Sequence, residues 1–173
     1  MNTIYKVFMT LSSTSWLLLI YFAKEKTTLF SIPYQIFDIL FTLGIVFISF
    51  LTLKLSNAFG TEKLQNIHEI TLADNEFLPT YLGYFFVALS IPSDLWMLII
   101  VYGLVFIFSY LSIDQYFNPV LILFGYHFYK VKTSKGTNLF VISRGTVIRN
   151  SREIDFDCLR RINDTTFINS RKG

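Results

Sequence analysis

The sequence has few of the residues from which metal and redox sites are built. It contains one cysteine, Cys158, and two histidines, His68 and His127, in 173 residues. A single cysteine cannot form an internal disulfide, and two distant histidines without a second cysteine do not make a structural zinc set. None of the eight glycines lies in a GxGxxG or GxxxxGK pattern, so no phosphate-binding loop is indicated. We therefore expect no metal ion and no cofactor.

Charged side chains are also missing from four long stretches, residues 7–23, 39–53, 77–93 and 95–113. About 20 apolar residues, rising roughly 1.5 Å each, cross the hydrocarbon core of a bilayer. The second stretch reaches that length when residues 30–37 are added. A composition of 53% hydrophobic and 18% aromatic residues is too apolar for an ordinary soluble domain. The sequence predicts an integral membrane α-helical protein, with four transmembrane helices in residues 1–113 and a second domain in residues 114–173.

The distribution of Lys and Arg predicts the orientation of these helices, because cytoplasmic flanks retain basic residues. With the N-terminus inside, the cytoplasmic segments hold 13 of the 15 basic residues, and the outer loops hold Lys24 and Lys26. Both termini are therefore expected in the cytoplasm. Pro92 ends the third stretch and Ser93 or Asp94 can cap the fourth helix, which predicts a tight outer hairpin.

The last 60 residues form a basic module with ten basic and five acidic side chains. Aromatic and β-branched residues alternate with polar ones, which favours strands. We expect a hairpin of residues 126–133 and 138–143, a third strand at 146–149, a helix at 153–162 and a last strand at 165–168. The module is thus expected to be β-rich, with the character of a partial barrel. Between the second and third spans, residues 61–70 are expected to form a short interfacial helix.

Arginines give the basic module its strongest concentration of charge. Anionic lipid headgroups, an acidic protein surface and nucleic acid compete as ligands for such a cluster, and positive-inside topology alone would also account for it. Interspersed acids at Asp155, Asp157 and Asp164, with no recognition helix, argue against direct nucleic acid binding. We select as partner-binding candidates Arg144, Arg149, Arg152, Arg160 and Arg161.

The helical region offers few polar candidates. Trp16 and Trp96 are candidate anchors at the membrane interface, and Asp38 lies near the outer end of the second span. In an alternative interpretation, oligomerised spans form a channel or transporter with Asp38, Gln35 and Thr42 along its lumen. Ser and Thr hydroxyls are expected to bond between helices, and close helix crossings are expected at Gly44, Gly83 and Gly103.

Three strings carry a resemblance to a known family. They are NEFLPTYLGYFFVALS at residues 75–90, NPVLILFGYHFY at 118–129 and RINDTTFI at 161–168. With four spans and this length, the sequence resembles the KwaA family, the membrane subunit of the Kiwa anti-phage defence system. The resemblance covers nearly the whole chain.

The resemblance implies a non-enzymatic component of the bacterial inner membrane that assembles as a homo-oligomer, with a tetramer expected. It further implies a sensor of membrane disturbance at phage attachment that recruits or activates a cytoplasmic DNA-binding effector, KwaB. The residues alone leave two rivals open. One is the channel or transporter, and the other is a membrane-bound enzyme that uses paired acids such as Asp155 and Asp157.

Overall fold

The computed structural model describes residues 3–28, 32–56, 60–64, 67–112, 118–134, 136–145, 156–162 and 165–169. Its helices are α1 (Thr3–Glu25), α2 (Tyr34–Leu55), α3 (Phe77–Ser90), α4 (Leu95–Leu111) and the short α5 (Pro119–Leu123). Its strands are β1 (Thr61–Leu64), β2 (Ile67–Leu72), β3 (Tyr126–Thr133), β4 (Asn138–Arg144), β5 (Phe156–Arg161) and β6 (Thr166–Asn169). A short 3-10 turn, Asp74–Glu76, leads into α3.

Two helices, α1 and α2, have the length and hydropathy needed to cross a membrane, with 23 and 22 residues. Pro33 directly precedes α2, so this helix begins within the extension predicted for the second stretch. The third and fourth stretches form helices of 14 and 17 residues, which correspond to roughly 21 and 25 Å. Both are shorter than the predicted stretches, because Ile91 and Ser112 take extended backbone conformations.

Helix α1 lies at the centre of the helical region and packs against α2, α3 and α4. Its buried residues include the hydroxyl side chains of Thr10, Ser12, Thr14 and Ser15. These hydroxyls donate to backbone carbonyls or to other helices, so that polar groups are satisfied in the interior. By contrast, about half of the large apolar side chains of α2 and most of those of α4 are exposed. The most polar of these helices is therefore the most enclosed one.

The predicted tight turn between α3 and α4 is present, and Asp94 caps α4, whereas the location of this turn outside the membrane stays a prediction. The carboxylate Oδ1 of Asp94 accepts a hydrogen bond from the Trp96 amide at 3.0 Å. At the same end of the bundle, the Lys24 ammonium donates to the Ile91 carbonyl at 2.5 Å. The C-terminal end of α1 is thus joined to the α3–α4 turn.

Beside the helices, the described residues form one six-stranded sheet. Its strand order is β1-β5-β6-β4-β3-β2. Neighbouring strands are antiparallel except β4 and β6, which are parallel. The predicted hairpin is confirmed as β3 and β4, and the predicted last strand as β6. The strand predicted at residues 146–149 lies outside the described residues.

Side chains alternate along the central strands between two buried faces. On one face, Phe128, Phe140 and Ile142 pack with the base of α1. On the other, Tyr129, Val131 and Val141 pack with apolar residues of the outer strands β1, β2 and β5. Because side chains alternate between two buried faces, both faces of the sheet must be covered. The helices cover one face, and the curvature of the sheet encloses the other.

The edges of the sheet show how strongly it curves. Strands β1 and β2 are its two edges, yet Leu64 and Ile67 are three residues apart in sequence, so their Cα atoms lie within about 11 Å. A flat sheet of six strands would separate its edges by roughly 24 Å. The strands therefore curl into a half-barrel, as the sequence predicted. Its edges come from residues 61–72, within the segment predicted as the transmembrane domain.

Two predicted helices were wrong, because both segments are strands held by distant partners. Residues 61–70 were predicted as an interfacial helix, but β1 pairs with β5 and β2 pairs with β3. Residues 153–162 were predicted as a helix, but their described part is β5. Its register against β1 shifts by one residue, so Phe156 and Leu159 pack in the same core despite their odd spacing.

Candidate functional site

The helices and the half-barrel meet in one hydrophobic core. Tyr5 and Met9 of α1 pack with Leu121 of α5, Phe128 of β3 and Ile142 of β4. All five are at most 3% exposed. The base of α1 and the sheet therefore share one closely packed interior.

A buried polar node lies beside this core and joins α1, α2 and the start of α5. The side-chain amide of Asn118 donates from Nδ2 to Ser12 Oγ at 2.5 Å and to Ser49 Oγ at 2.8 Å. The two hydroxyls are 2.8 Å from each other. Exposure of the three residues is 0%, 0% and 1% for Ser12, Ser49 and Asn118. We call these three residues the Asn118 node.

One arrangement of protons satisfies the node completely. Ser49 donates its hydroxyl proton to the Ile45 carbonyl at 2.8 Å, so Ser12 is the donor in the bond between the two serines. The carbonyl oxygen of Asn118 accepts from the Val120 amide at 3.0 Å and caps α5. A buried amide whose donors and acceptor are all used specifies the relative position of the three helices, since a shift leaves buried groups unpaired.

A second connection joins the start of α3 to β3. Asp74 accepts from the Phe128 amide at Oδ1, 2.7 Å away, and its Oδ2 lies 2.6 Å from His127 Nδ1. Two residues later, the carboxylate of Glu76 pairs with the Lys130 ammonium at 2.7 Å. The loop entering α3 is thus bound to one strand by a carboxylate at each end of its 3-10 turn. His127 lies within a strand, as predicted.

The structure separates the arginines that the sequence grouped. Arg149 and Arg152 lie outside the described residues. Arg144 ends β4 on the helix-facing side of the sheet, with its guanidinium 5.8 Å from the centre of the Tyr126 ring. It therefore lies next to the helices rather than at the far end of the module.

Arg160 and Arg161 are adjacent in β5, so their side chains leave opposite faces of the sheet. Arg160 pairs in register with Ile168, whose side chain faces the helices. Arg161 pairs in register with Phe167 of the other face, and its guanidinium lies 3.3 Å from Glu62 Oε1. A single partner surface does not reach both of these side chains from the same side.

The three membrane candidates differ in their surroundings. Trp16 lies midway along α1, packed edge-on against Tyr81 of α3, and its Nε1 is buried without a hydrogen-bond partner among the described residues. Trp96 is 74% exposed in the first turn of α4, where an interfacial anchor would be placed. Asp38 is half-buried in the first half of α2. The anchoring role of the tryptophans stays a prediction.

The other polar predictions have mixed outcomes. Hydroxyls do bond between helices, as Ser12 with Ser49 and Thr14 with Tyr102 show. The glycines do not mark close crossings within one chain, because a Cβ added at Gly44, Gly83 or Gly103 would meet no atom within 4 Å. Among the described residues, no group of three or more His, Cys, Asp or Glu could hold a metal ion. Asp155 and the side chain of Asp157 lie outside the described part.

Neither the Asn118 node nor the role of Asp74 was predicted from the sequence. The signal for the node was present: Asn118 is followed by Pro119, the arrangement of an N-cap and the first helical residue. The α1 sequence also contains an unusual run of hydroxyl residues from Thr10 to Ser15. Nothing local indicates that these two segments meet, because they are separated by more than 100 residues.

Comparison with known proteins connects this architecture to antiviral defence. No curated protein and no solved structure matches the chain. A family model described as anti-phage protein KwaA matches residues 5–168, a range that includes the Asn118 node, the Asp74 connection and the strands of the half-barrel. The chain therefore belongs to the KwaA family of anti-phage proteins, as its resemblance predicted.

Proposed function

We propose that the chain is a multi-pass sensor and scaffold subunit of an anti-phage complex in the bacterial inner membrane. It detects membrane perturbation at phage attachment and recruits or activates a cytoplasmic DNA-binding effector, KwaB in this family. Family membership supports the defence role. The Asn118 node is the observation that carries the sensing mechanism, because it joins two candidate spans to the segment that enters the sheet.

The mechanism follows from what the node requires. Any rotation or slide between α1 and α2 that separates Ser12 from Ser49 also breaks the bonds to Asn118. Two arrangements of the helices that differ by a few kcal/mol would then correspond to two positions of α5 and of β3, which follows it. Membrane tension or local lipid disorder changes the arrangement of the helices, and the effector responds to the resulting position of the sheet. This mechanism requires no catalytic residues.

Four membrane-embedded helices, with both termini in the cytoplasm, complete the proposal. Helices α3 and α4 expose large apolar side chains along their length, among them Leu82, Phe86, Ile100 and Phe108 at 54, 62, 55 and 66%. Such surfaces need lipid or further copies of the chain. The N-terminal end of α1 and the sheet share one core at one end of the bundle, which supports a location of both on the same side of the membrane. Oligomerisation as a tetramer belongs to this proposal.

Replacing Asn118 with alanine tests the coupling. The change leaves two buried serines without their amide donor, at a cost of about 1–3 kcal/mol. We expect N118A to insert in the membrane and to co-purify with the effector, but to lose protection in plaque assays against phage. N138A is the matched control, since Asn138 is exposed at the start of β4 and should leave protection unchanged.

A milder variant, S12A, distinguishes a loss of coupling from misfolding of N118A. S12A removes the donor to Ser49 and one acceptor for Asn118, and retains the amide bond to Ser49. An intermediate loss of protection is expected at normal protein abundance. Full protection by both variants, at wild-type abundance, would exclude the node as the coupling element.

A homo-oligomeric channel or transporter is the second candidate, and Asp38 favours it. One carboxylate oxygen of Asp38 is buried with no hydrogen-bond partner among the described residues, which is costly for a carboxylate. A lumen formed by several copies would solvate it. Thr42 gives less support to a lumen, because its hydroxyl already donates to the backbone carbonyl of Asp38 at 2.8 Å. Ion flux through reconstituted chain alone, lost in D38N, would favour this candidate over the sensor.

A further inference from the structure

A cleft of about 360 Å³ opens where the end of α2 meets the sheet. Its lining residues come from α2, the end of α5, β3 and β4; they are Phe50, Leu53, Lys54, Phe124, Tyr126 and Arg144. The walls are aromatic and aliphatic, and the two charged members are both cations. Two of these lining residues, Phe50 and Phe124, make an edge-to-face contact with ring centres 6.4 Å apart.

The charges of the cleft are suited to an anion. Lys54 and Arg144 are both exposed, and among the described residues neither has an ion-pair partner. Arg144 lies beside the Tyr126 ring, which restricts the planar guanidinium and leaves its donors available. Among the described residues, no carboxylate lines the cleft. A phosphate between an ammonium and a guanidinium is a favourable arrangement.

An apolar stripe on α2 leads to this cleft. Its residues are spaced alternately by four and three, so they lie along one side of the helix. They are Ile36, Leu40, Leu43, Phe47 and Phe50, and each is at least 50% exposed. Lys54 continues the same spacing, one turn beyond Phe50. The stripe thus runs along a candidate span and ends in a cation at the membrane surface. This order complements an anionic lipid, whose apolar acyl chain is attached to a negatively charged headgroup.

We propose that the cleft binds an anionic phospholipid of the sheet-side leaflet, with its phosphate between Lys54 and Arg144 and an acyl chain along the stripe. The proposal rests on the embedding of α2 in the membrane, which is part of the proposed function. A soluble phosphate would use the two cations but would leave the apolar walls exposed to water. Arg144 is thereby assigned to lipid rather than to a protein partner.

A lipid bound in the cleft would change the balance between the two helix arrangements of the sensing mechanism. The cleft is walled by α2 and by the segment from α5 into β3, which are the parts that the Asn118 node joins. A lipid that bridges them favours the arrangement of the helices in which both walls are close. Loss of that lipid from the site favours the other arrangement.

Lipid retention by the purified full chain tests the proposal. The chain is exchanged into detergent micelles containing equal amounts of phosphatidylglycerol and phosphatidylcholine, and the bound lipid is identified by native mass spectrometry. We expect a preference of roughly thirtyfold for phosphatidylglycerol, because two basic residues near a membrane surface supply about 1 kcal/mol each. The double variant K54Q/R144Q should lose this preference. K63Q/K132Q is the matched control, because it removes the same charge from exposed positions on β1 and β3 and should retain the preference.

Three results would overturn the assignment. One is an unchanged preference in K54Q/R144Q, and another is its equal loss in K63Q/K132Q. The third is displacement of phosphatidylglycerol by millimolar glycerol phosphate, which would identify a site for a soluble phosphate. Flotation of the native membrane fraction distinguishes the two proposals: a chain that floats with lipid but shows no preference contradicts only the lipid site. A chain released by alkaline carbonate contradicts the membrane embedding as well.

Discussion

At the scale of the residue, Asp74 connects the start of α3 to strand β3. Its neighbours in sequence do not indicate this role. Both carboxylate oxygens are used, one by the Phe128 amide and one by the His127 ring. Neither partner is near it in sequence, and the bonds fix where α3 starts relative to β3. The local sequence, Ala-Asp-Asn-Glu, reads as an ordinary solvated turn.

Replacing Asp74 with alanine should therefore destabilise the chain. The amide and the ring both lose a charged acceptor, and hydrogen bonds to charged groups contribute about 1.5–3 kcal/mol. We expect a lower midpoint of thermal unfolding for the detergent-solubilised chain, measured by intrinsic fluorescence.

D94A is the comparison for this prediction. Asp94 supplies a single cap to the Trp96 amide, and the loss of a cap costs about 1 kcal/mol. The midpoint of D74A should therefore fall further than that of D94A. Equal midpoints for D74A and the unmodified chain would contradict a structural role for the carboxylate.

At the scale of the element, the turn between α5 and β3 depends on one glycine. Gly125 has φ of 75°, in the region that residues with a Cβ rarely adopt. Its carbonyl accepts from the Gly145 amide at 3.3 Å, which closes the near ends of β3 and β4. The direction in which the sheet leaves the Asn118 node is thus set by this residue.

G125A should destabilise the chain by about 1 kcal/mol, because a Cβ at positive φ is strained even where space is available. Limited proteolysis of the solubilised chain would show faster cleavage after α5. G44A is the control: Gly44 lies inside α2 with open space around it, and alanine favours a helix. If both variants resist protease equally, the turn does not depend on the glycine.

Elements also differ in how far the sequence could predict them. The apolar helices were found because the absence of charge over many residues is a local signal. The β3–β4 hairpin was found because its partners are adjacent in sequence. Strands β1 and β5 were taken for helices because each is held by the other, with Thr61 opposite Arg160. Pairing across about 100 residues leaves little trace in local pattern, and the bulge in β5 hides its alternation.

The candidate site was predicted only in part, for a related reason. Charge identified the arginines of the module as a set, but the alternation of a strand separates Arg160 from Arg161. Asn118 and Asp74 are single polar residues whose structural importance comes from distant partners. Their roles become visible only when the fold brings those partners together.

At the scale of the whole molecule, the effector would contact the half-barrel, and Arg161 offers the clearest test of where. Its side chain is 46% exposed on the face of the sheet away from the helices. We expect R161E to reduce recovery of the effector in mild-detergent pull-downs by at least about tenfold, since a reversed charge at an interface costs several kcal/mol.

E62Q separates this effect from stability. It removes the same ion pair with Arg161 but leaves the arginine in place, and an exposed pair contributes about 0–1 kcal/mol. Effector recovery should be unchanged in E62Q. A loss of recovery in E62Q as large as in R161E would mean that the ion pair, rather than the arginine, supports the contact.

The position of β1 and β2 at the two edges of the half-barrel also sets an order of events during synthesis. Both strands leave the ribosome before α3, yet β1 cannot pair until β5 has been made, about 90 residues later. At roughly 5–20 residues per second, this wait lasts on the order of 5–20 s. The sheet is therefore the last part to close, after all the helices have been synthesised. A chain interrupted before residue 156 would leave β1 without β5 and one side of β4 without β6, and such unpaired strand edges favour aggregation.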